Sequence, residues 1–252
     1  MPPMTDAWIF PDWPAPRNVH AAITTRDGPG VSTPPFGRFN LGLRSGDLHD
    51  TVTSNRSVLR QALDLPASPR WLRQVHGSTV AELGPLPSPD EPHADAAVSH
   101  LSGTVLAILT ADCLPVLFCA DDGREIGAAH AGWRGLAAGV LEATVEQLQT
   151  PPERLLAWLG PCIGAASYEV GEEVHAAFVS HDATAATCFT PTRPGHWQCD
   201  LAALARLRLM AVGVTRIHGG GFDTLTDPRF YSYRREGARS GRFASLIWLA
   251  DD

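Results

Sequence analysis

The sequence predicts a mixed fold of the α/β or α+β class, on the strength of three observations. Continuous apolar runs at Thr104–Thr110 and Leu114–Ala120 are typical of strands that are buried on both faces. Between positions 136 and 148, apolar residues recur about every 3.6 positions, as in a helix packed on one side. Such strands and helices alternate along a chain with 44% hydrophobic and 19% charged residues, an ordinary globular composition.

In the N-terminal part, the expected elements are short. Residues 1–19 are proline-rich and expected to be irregular, and His20–Thr25 is a candidate strand. Apolar residues at positions 52, 58, 59 and 63 predict a helix over Asp50–Leu63, which ends before Pro66. The other segments are two candidate strands and a proline-rich surface loop, at Trp71–Val75, Thr79–Leu83 and Leu83–Pro92.

In the C-terminal part, a strand at Glu125–Ala129 leads through HAGWRG into the helix that starts near Leu136. This order places His130 at the end of a strand, beside a helix N-terminus. The same criteria predict strands at Leu155–Leu159, Thr215–His218 and Leu246–Leu249, and helices at Glu172–Phe178 and Leu201–Val212. A length of 252 residues fits one large domain, so we expect a single domain over 1–252.

Composition and charge exclude several classes of function. The net charge of −7 argues against a duplex nucleic-acid binder. All 20 cationic side chains are arginine, which excludes a Schiff-base lysine and a P-loop lysine. The sequence has neither an 18-residue apolar run nor a secretory leader pattern, so no membrane partner is expected. Five scattered cysteines without a CxxC pair indicate reduced thiols and a cytoplasmic location.

Three candidate catalytic residues lie where a strand gives way to a loop: His76, Cys113 and His130. Histidine and cysteine are ligands that zinc prefers, and three protein ligands with an open position are typical of a catalytic zinc site. The separations match no short zinc motif, so two other interpretations stay open. Cys113 could be a nucleophile with a histidine as its base, or it could be an inert buried thiol.

Neighbouring residues offer further chemistry. Asp112 would point away from Cys113 and is either a turn carboxylate or an indirect support of the site. Arg134 lies at a predicted helix N-terminus, where an anion would be stabilised, although a solvated arginine is an equal alternative. Trp133 could stack on a planar base or only anchor the turn. The segment 231–242 is rich in tyrosine and arginine and could surround an anionic ligand.

Several motifs in order resemble one known family. They are NLGLRSGD at 40–47 with NR at 55–56, QVHG at 74–77, TADCLPV at 110–116, AHAGWRG at 129–135, GPCIGAASYEVGEEV at 160–174 and FYSYRREGARSGRFASLIWL at 230–249. Together they resemble the YfiH family, whose members have been called polyphenol oxidase, laccase-domain protein or peptidoglycan editing factor, and which includes the human enzyme FAMIN. The resemblance covers residues 20–250, which is nearly the whole chain.

The resemblance implies a layered α-β-β-α sandwich, as in cytotoxic-necrotizing-factor catalytic domains. It also implies that His76, Cys113 and His130 are the ligands of a catalytic zinc ion. Candidate substrate-binding residues are Asn40, Arg44, Arg56, Arg134 and Arg234. The chain departs from the family pattern at Arg44, which replaces the usual His, and at Asp223-Thr224, which replaces the usual Cys-Thr.

The activity that the resemblance implies is phosphorolysis of adenosine, inosine, guanosine and methylthioadenosine, together with deamination of adenosine. The expected partners are therefore a small nucleoside and phosphate. One alternative is a cysteine hydrolase, with Cys113 and His130, that edits misincorporated peptidoglycan precursors. A four-copper laccase is not expected, because the ten histidines include no HxH pair, although a three-ligand site could still bind copper.

Overall fold

The computed structural model describes residues 7–86 and 90–250. The strands in these ranges are β1 (Trp8–Ile9), β2 (Val19–Thr24), β3 (Val80–Glu82), β4 (Ala96–Ser99), β5 (Val105–Thr110), β6 (Leu114–Ala120), β7 (Ile126–Ala131), β8 (Leu155–Leu159), β9 (Glu169–Gly171), β10 (Phe189–Arg193), β11 (His196–Cys199), β12 (Arg216–Gly219) and β13 (Phe243–Leu249). The α-helices are α1 (His49–Ala62), α2 (Trp133–Ala137), α3 (Val140–Gln147), α4 (Glu172–Val179), α5 (Leu201–Ala211) and α6 (Tyr233–Glu236).

Two sheets pack face to face in the centre of the molecule. One has the strand order β1-β2-β13-β5, and the other has the order β12-β8-β6-β7-β4-β3. Ile108 and Phe243 of the first sheet lie in one buried cluster with Leu117 and Trp158 of the second. Each of these apolar side chains is removed from water on folding, which contributes about 1.5–3 kcal/mol to stability. The layer between the two sheets is therefore the central core.

Helices cover the outer faces of both sheets. Leu59 of α1 packs with Val105 and Leu246 on the outside of the smaller sheet. Residues of α2, α3, α4 and α5 pack against the outside of the larger sheet, where Val116 and Phe118 are fully buried. The four layers confirm the predicted α-β-β-α sandwich. A third sheet, with the order β10-β11-β9, is added at the side of α4.

Strand β6 is buried on both faces along its whole length, as its continuous apolar run predicts. It pairs antiparallel with β7, and Leu114 lies opposite Ala131 while Pro115 lies opposite His130. The residue before β6 is therefore placed beside the residue after β7. This register brings Cys113 next to the HAGWRG turn, although Cys113 and His130 are 17 positions apart in the sequence.

Some sequence predictions need correction. Trp71–Val75 is not a strand: the segment contains one isolated bridge, at Arg73, and a second one precedes it at Arg70. The helix predicted from position 136 to 148 is two helices, separated where Gly139 adopts a left-handed conformation (φ 91°). Strand β4 and the small third sheet were not predicted. The segment expected to be irregular contains β1, while residues 1–6 and part of the proline-rich loop, 87–89, lie outside the described residues.

Within the part of the chain that the structure describes, no helix is both long enough and apolar enough to cross a membrane.

Candidate active site

The structure brings the three predicted site residues together at one end of the two sheets. His76 precedes β3, Cys113 lies in the turn between β5 and β6, and His130 lies near the end of β7. One ligand atom from each residue lies within 4.8 Å of the other two, and His76 Nε2 is 3.9 Å from Cys113 Sγ. Among the described residues, this is the one group of three such side chains close enough to hold a metal ion.

A buried carboxylate that the sequence analysis missed supports both histidines. Asp95 is fully buried, and its Oδ1 accepts a hydrogen bond from His130 Nδ1 at 2.9 Å. The backbone N–H of His76 donates to the same oxygen at 2.8 Å. Oδ2 accepts from the N–H groups of Val75 at 3.1 Å and Gly77 at 2.7 Å. No short motif marks this residue, whose only sequence signal is its position just before a short apolar run.

The charges of the site favour a thiolate beside a protonated imidazole when no metal is bound. Burial opposes ionisation of Cys113, but the charge of His130 and hydrogen bonds from both histidines outweigh it and lower the pKa of the thiol to about 6. Burial also opposes the cationic form of His130. The Cys113 thiolate and the Asp95 carboxylate outweigh this effect and raise the pKa of His130 to about 9.

The backbone is strained at two points of the site. His76 and Asp112 both adopt left-handed conformations, with φ of 62° and 88°, which non-glycine residues rarely do. Asp112 is buried in the turn, where Oδ1 accepts from the Thr224 hydroxyl at 2.7 Å and Oδ2 accepts from the Arg234 N–H at 2.7 Å. Asp112 is therefore a turn carboxylate that also anchors the segment carrying Arg234.

The HAGWRG turn approaches His76, Cys113 and the QVHG segment so closely that it requires glycine. A Cβ atom on Gly132 would lie 2.9 Å from Cys113 Sγ and 3.1 Å from His76 Cδ2. A Cβ atom on Gly135 would lie 2.8 Å from the carbonyl oxygen of Gly77. All three distances are shorter than van der Waals contact, so these glycines allow the QVHG and HAGWRG segments to meet.

His76, Cys113 and His130 line a cavity of about 570 Å³, which is large enough for a nucleoside. Four arginines also line this cavity: Arg44, Arg134, Arg234 and Arg242. Aromatic side chains line it as well, namely Trp133, Tyr168 and Tyr233. Two of the arginines rest on aromatic rings, with Arg134 over Trp133 at 4.3 Å and Arg234 over Tyr168 at 5.0 Å.

Two predicted substrate-binding residues, Arg56 and Asn40, lie outside the lining of this cavity. Arg56 stacks on Trp71 at 4.1 Å, and its guanidinium donates to Glu91 at 3.0 Å and to the Leu41 carbonyl at 3.0 Å. Arg44 does line the cavity but pairs with the same Glu91 at 2.7 Å. Glu91 therefore links the two arginines, and only Arg44 faces the site.

Asn40 is fully buried and organises the loop below the cavity. Its Oδ1 accepts from the N–H groups of Gly42 at 3.0 Å and Arg242 at 2.9 Å. Its Nδ2 donates to Ser45 Oγ at 2.7 Å and to Asp47 at 3.1 Å. These contacts leave Asn40 as a structural support of the loop that carries Arg44.

Replacing Asn40 with alanine is expected to lower the free energy of unfolding by about 2–4 kcal/mol, because buried donors and acceptors lose their partners. Urea denaturation of the purified variant measures this change. The exposed Arg60, altered to alanine as a control, should change the free energy of unfolding by no more than about 0.5 kcal/mol. A variant with Asn40→Ala that is as stable as the parent would contradict the supporting role.

Asp223, at the position where the family pattern has cysteine, holds two segments together through its carboxylate. Its Oδ1 accepts from the Gly164 N–H at 3.0 Å, and its Oδ2 accepts from Ser167 Oγ at 2.5 Å. The carboxylate thus ties the GPCIG loop to the segment after β12. Thr224, the second residue of that pair, donates to Asp112.

Comparisons with known proteins agree with this geometry. A family model described as multi-copper polyphenol oxidoreductase laccase matches residues 20–250. A protein of Escherichia coli named purine nucleoside phosphorylase YfiH is 50% identical, with 96% of this chain and 98% of the relative covered. The chain belongs to the YfiH family. This identification confirms the family that the motifs predict.

Two further comparisons of this YfiH-family chain, one with a sequence and one with a solved structure, give the same result. A protein of Xylella fastidiosa named purine nucleoside phosphorylase is 56% identical over 96% of this chain and 97% of the relative. A crystal structure of a Neisseria meningitidis protein superposes with a TM-score of 0.91 at 44% identity, covering 97% of this chain and all of that chain. Sequence similarity to the relatives and structural similarity to a solved structure therefore both extend over nearly the whole chain.

Proposed function

We propose that this YfiH-family chain is a purine nucleoside phosphorylase that uses a zinc ion held by His76, Cys113 and His130. The observation that carries the proposal is the His-Cys-His group in a cavity lined by arginine and aromatic side chains. The names of the relatives support the same activity. The cytoplasmic location expected from the reduced thiols accompanies this proposal and stays a prediction.

The donor set fits zinc, and its atoms are close enough to converge on one ion. Ligand atoms on a tetrahedral zinc ion with ordinary bond lengths lie about 3.3–3.8 Å apart. His76 Nε2 and Cys113 Sγ are 3.9 Å apart and all three ligand atoms lie within 4.8 Å of one another, so a small inward movement would complete the site. His130 Nδ1 is hydrogen-bonded to Asp95, which leaves Nε2 for a metal. Three protein ligands leave the fourth position for water or substrate. Copper could occupy the same donors, since its intrinsic affinity is higher, but one three-ligand group does not make a four-copper oxidase.

The arginines would bind and orient phosphate, the attacking nucleophile. Arg134 and Arg234 present guanidinium groups that are held from behind by aromatic rings. Arg242 is half-buried, and the backbone carbonyls of Ser240 and Gly241 accept from its Nη1 at 2.7 and 2.8 Å. Guanidinium groups bind phosphate oxygens in pairs, so these residues would hold the anion in one orientation.

The aromatic residues would hold the purine. Trp133, Tyr168 and Tyr233 line the cavity, and rings of this kind stack on planar bases. In phosphorolysis, a phosphate oxygen forms a bond to C1′ of the ribose while the C1′–N9 bond breaks and its electron pair leaves with the purine. A bound zinc ion would act as a Lewis acid that stabilises developing negative charge. Adenosine deamination, which needs an activated water at C6 of the base, would use the same open position.

Product analysis tests this proposal. Purified protein with its metal content measured is incubated with adenosine or inosine, with and without phosphate. We expect free base and ribose 1-phosphate only when phosphate is present, and inosine from adenosine without phosphate. A chelator should abolish both activities, and added zinc should restore them. A folded, zinc-loaded protein that turns over no nucleoside would overturn the proposal.

A cysteine hydrolase is the second candidate, and the pKa of about 6 for Cys113 favours it. In that reaction the Cys113 thiolate would attack the amide carbonyl of a peptidoglycan precursor, and His130 would protonate the leaving amine. Water would then cleave the thioester left on Cys113, which releases the carboxylic acid and restores the thiol. Removal of the metal separates the two candidates. Amide hydrolysis that persists in metal-free protein would support the hydrolase and contradict the zinc site.

Replacing Arg134 with alanine is expected to raise KM for phosphate about 10- to 100-fold and to change KM for the nucleoside much less. A charge-assisted hydrogen bond to the anion is lost, which corresponds to about 1.5–3 kcal/mol. Initial rates at varied phosphate measure this effect. Arg124, an exposed arginine remote from the cavity, provides the control, and Arg124→Ala should leave both KM values unchanged. An equal rise in both KM values would contradict a phosphate-specific role.

A further inference from the structure

We propose that Asp95 is a positioning residue for the metal site, because this one buried carboxylate fixes the ring of His130 and the backbone of His76 together. The inference rests on the proposed zinc site and concerns a residue outside its ligands. Asp95 directly precedes β4, and its backbone carbonyl also accepts from the His130 N–H at 2.6 Å. The side chain and main chain of one residue thus hold the segments that carry two ligands.

The contact with His130 sets the tautomer of that ring. A carboxylate can only accept hydrogen bonds, so Nδ1 of His130 must carry the proton that lies between it and Asp95. Nε2 is then left with a free lone pair, which is the form that binds a metal. The carboxylate also raises the basicity of the ring, and the pair is shielded from solvent because both side chains are buried.

The contacts with residues 75–77 hold His76 in its left-handed conformation. Three consecutive N–H groups point at the two carboxylate oxygens, at distances of 2.7–3.1 Å. A φ of 62° is uncommon for residues other than glycine. Without the three hydrogen bonds to Asp95, this conformation of His76 would lose the contacts that stabilise it. The hydrogen bonds to Asp95 therefore offset the strain of the left-handed conformation, which places the His76 ring beside Cys113.

An amide cannot replace this carboxylate in either orientation. Oδ1 accepts from His76 and His130, and Oδ2 accepts from Val75 and Gly77. The NH₂ group of an asparagine would face two donors at either position. If it faced His130, it would also force the proton from Nδ1 to Nε2 and remove the lone pair that binds zinc.

The experiment compares Asp95→Asn with the parent protein by competition of zinc with a chromophoric chelator. We expect a 10- to 100-fold loss of zinc affinity, which is the range for residues that orient metal ligands. Asp95→Glu, which restores the charge, should recover part of the affinity if its longer side chain reaches the same donors. Thermal unfolding of the metal-free proteins is measured beside the affinities.

Glu125 offers a matched control. It is also a buried carboxylate, and it accepts from the N–H groups of Gln149 and Thr150 and lies 3.0 Å from the ring of His100. It lies before the start of β7, whereas His130 lies near the end of that strand. Glu125→Gln should lower thermal stability but leave zinc affinity unchanged. An equal loss of zinc affinity in both variants would show a general effect of stability and would overturn the inference.

A measurement on the unaltered protein keeps the inference testable if Asp95→Asn does not fold. The ¹⁵N chemical shifts of the histidine rings in zinc-loaded protein report which nitrogen carries the proton. We expect His130 to be protonated at Nδ1 and zinc-bound at Nε2, and the opposite assignment would overturn the inference. Parent protein that binds no zinc would overturn the metal site itself. Parent and Asp95→Asn proteins that bind zinc equally would overturn only the role of Asp95.

Discussion

Replacing Cys113 with alanine is expected to abolish stable zinc binding and to lower kcat/KM for phosphorolysis at least about 1000-fold. The thiolate is the one anionic donor of the three, so the remaining two imidazoles would bind a divalent cation far more weakly. Loss of the metal removes several kcal/mol of charge stabilisation, and each 1.36 kcal/mol corresponds to a factor of ten in rate. Metal analysis after dialysis and steady-state kinetics measure the two effects.

The matched control is Cys119, a fully buried thiol on β6 whose pKa burial raises to about 12. Cys119→Ala should reduce stability slightly and leave zinc content and kinetics unchanged. Activity alone does not distinguish a zinc enzyme from a cysteine hydrolase, since both need Cys113. The zinc content does: a Cys113→Ala protein that keeps one equivalent of zinc would contradict the assignment of this thiolate as a ligand.

Replacing Gly132 with alanine is expected to lower kcat/KM about 100-fold while the protein stays folded. The backbone at Gly132 has φ −65° and ψ 158°, which alanine adopts without strain. The new methyl group would instead meet Cys113 Sγ and His76 Cδ2 at 2.9 and 3.1 Å. Ligands displaced by about 1 Å suffice for a loss of this size. Kinetics, zinc affinity and a thermal melt are measured on the same preparation.

Gly171 provides a matched control for that substitution. It also precedes a helix in an extended conformation, with φ −93° and ψ −178°, and an added Cβ would meet nothing within 4 Å. Gly171→Ala should leave kinetics and zinc affinity unchanged. A Gly132→Ala protein with the kinetics of the parent would show that the ligands can shift without loss, and would contradict the close packing described for this turn.

The predictable parts of the fold are those with strong hydrophobic patterns. Strands β5 and β6 and helix α5 follow from apolar runs and a 3.6-residue period, because burial on both faces or on one face dictates those patterns. Strand β4 is short and alanine-rich, and the strands of the third sheet carry polar residues such as Thr190 and Gln198, so neither gives such a signal. Pairing with neighbouring strands, which is not local in sequence, creates these elements.

The candidate site shows the same division. Cys113 and His130 could be selected because each lies at a strand end, and the register of β6 with β7 explains why these two meet. The strand expected before His76 does not form, so the reason for selecting His76 was wrong although the residue joins the site. The fate of polar residues could not be predicted in this way. Asn40 and Asp95 are both fully buried, and only the folded chain shows which N–H groups each one accepts from. Arg56 likewise serves Glu91 and Trp71 instead of the cavity.

The three candidate ligands lie at different depths below the protein surface, so a metal ion would reach them in a fixed order. His130 is buried and 3% exposed, Cys113 is half-buried, and His76 is exposed to solvent. An incoming cation would therefore meet His76 before the other two, and a departing cation would leave past it. The equilibrium affinity would depend on all three ligands, because each contributes to the bound state, whereas the rate of metal exchange would depend most on the exposed imidazole.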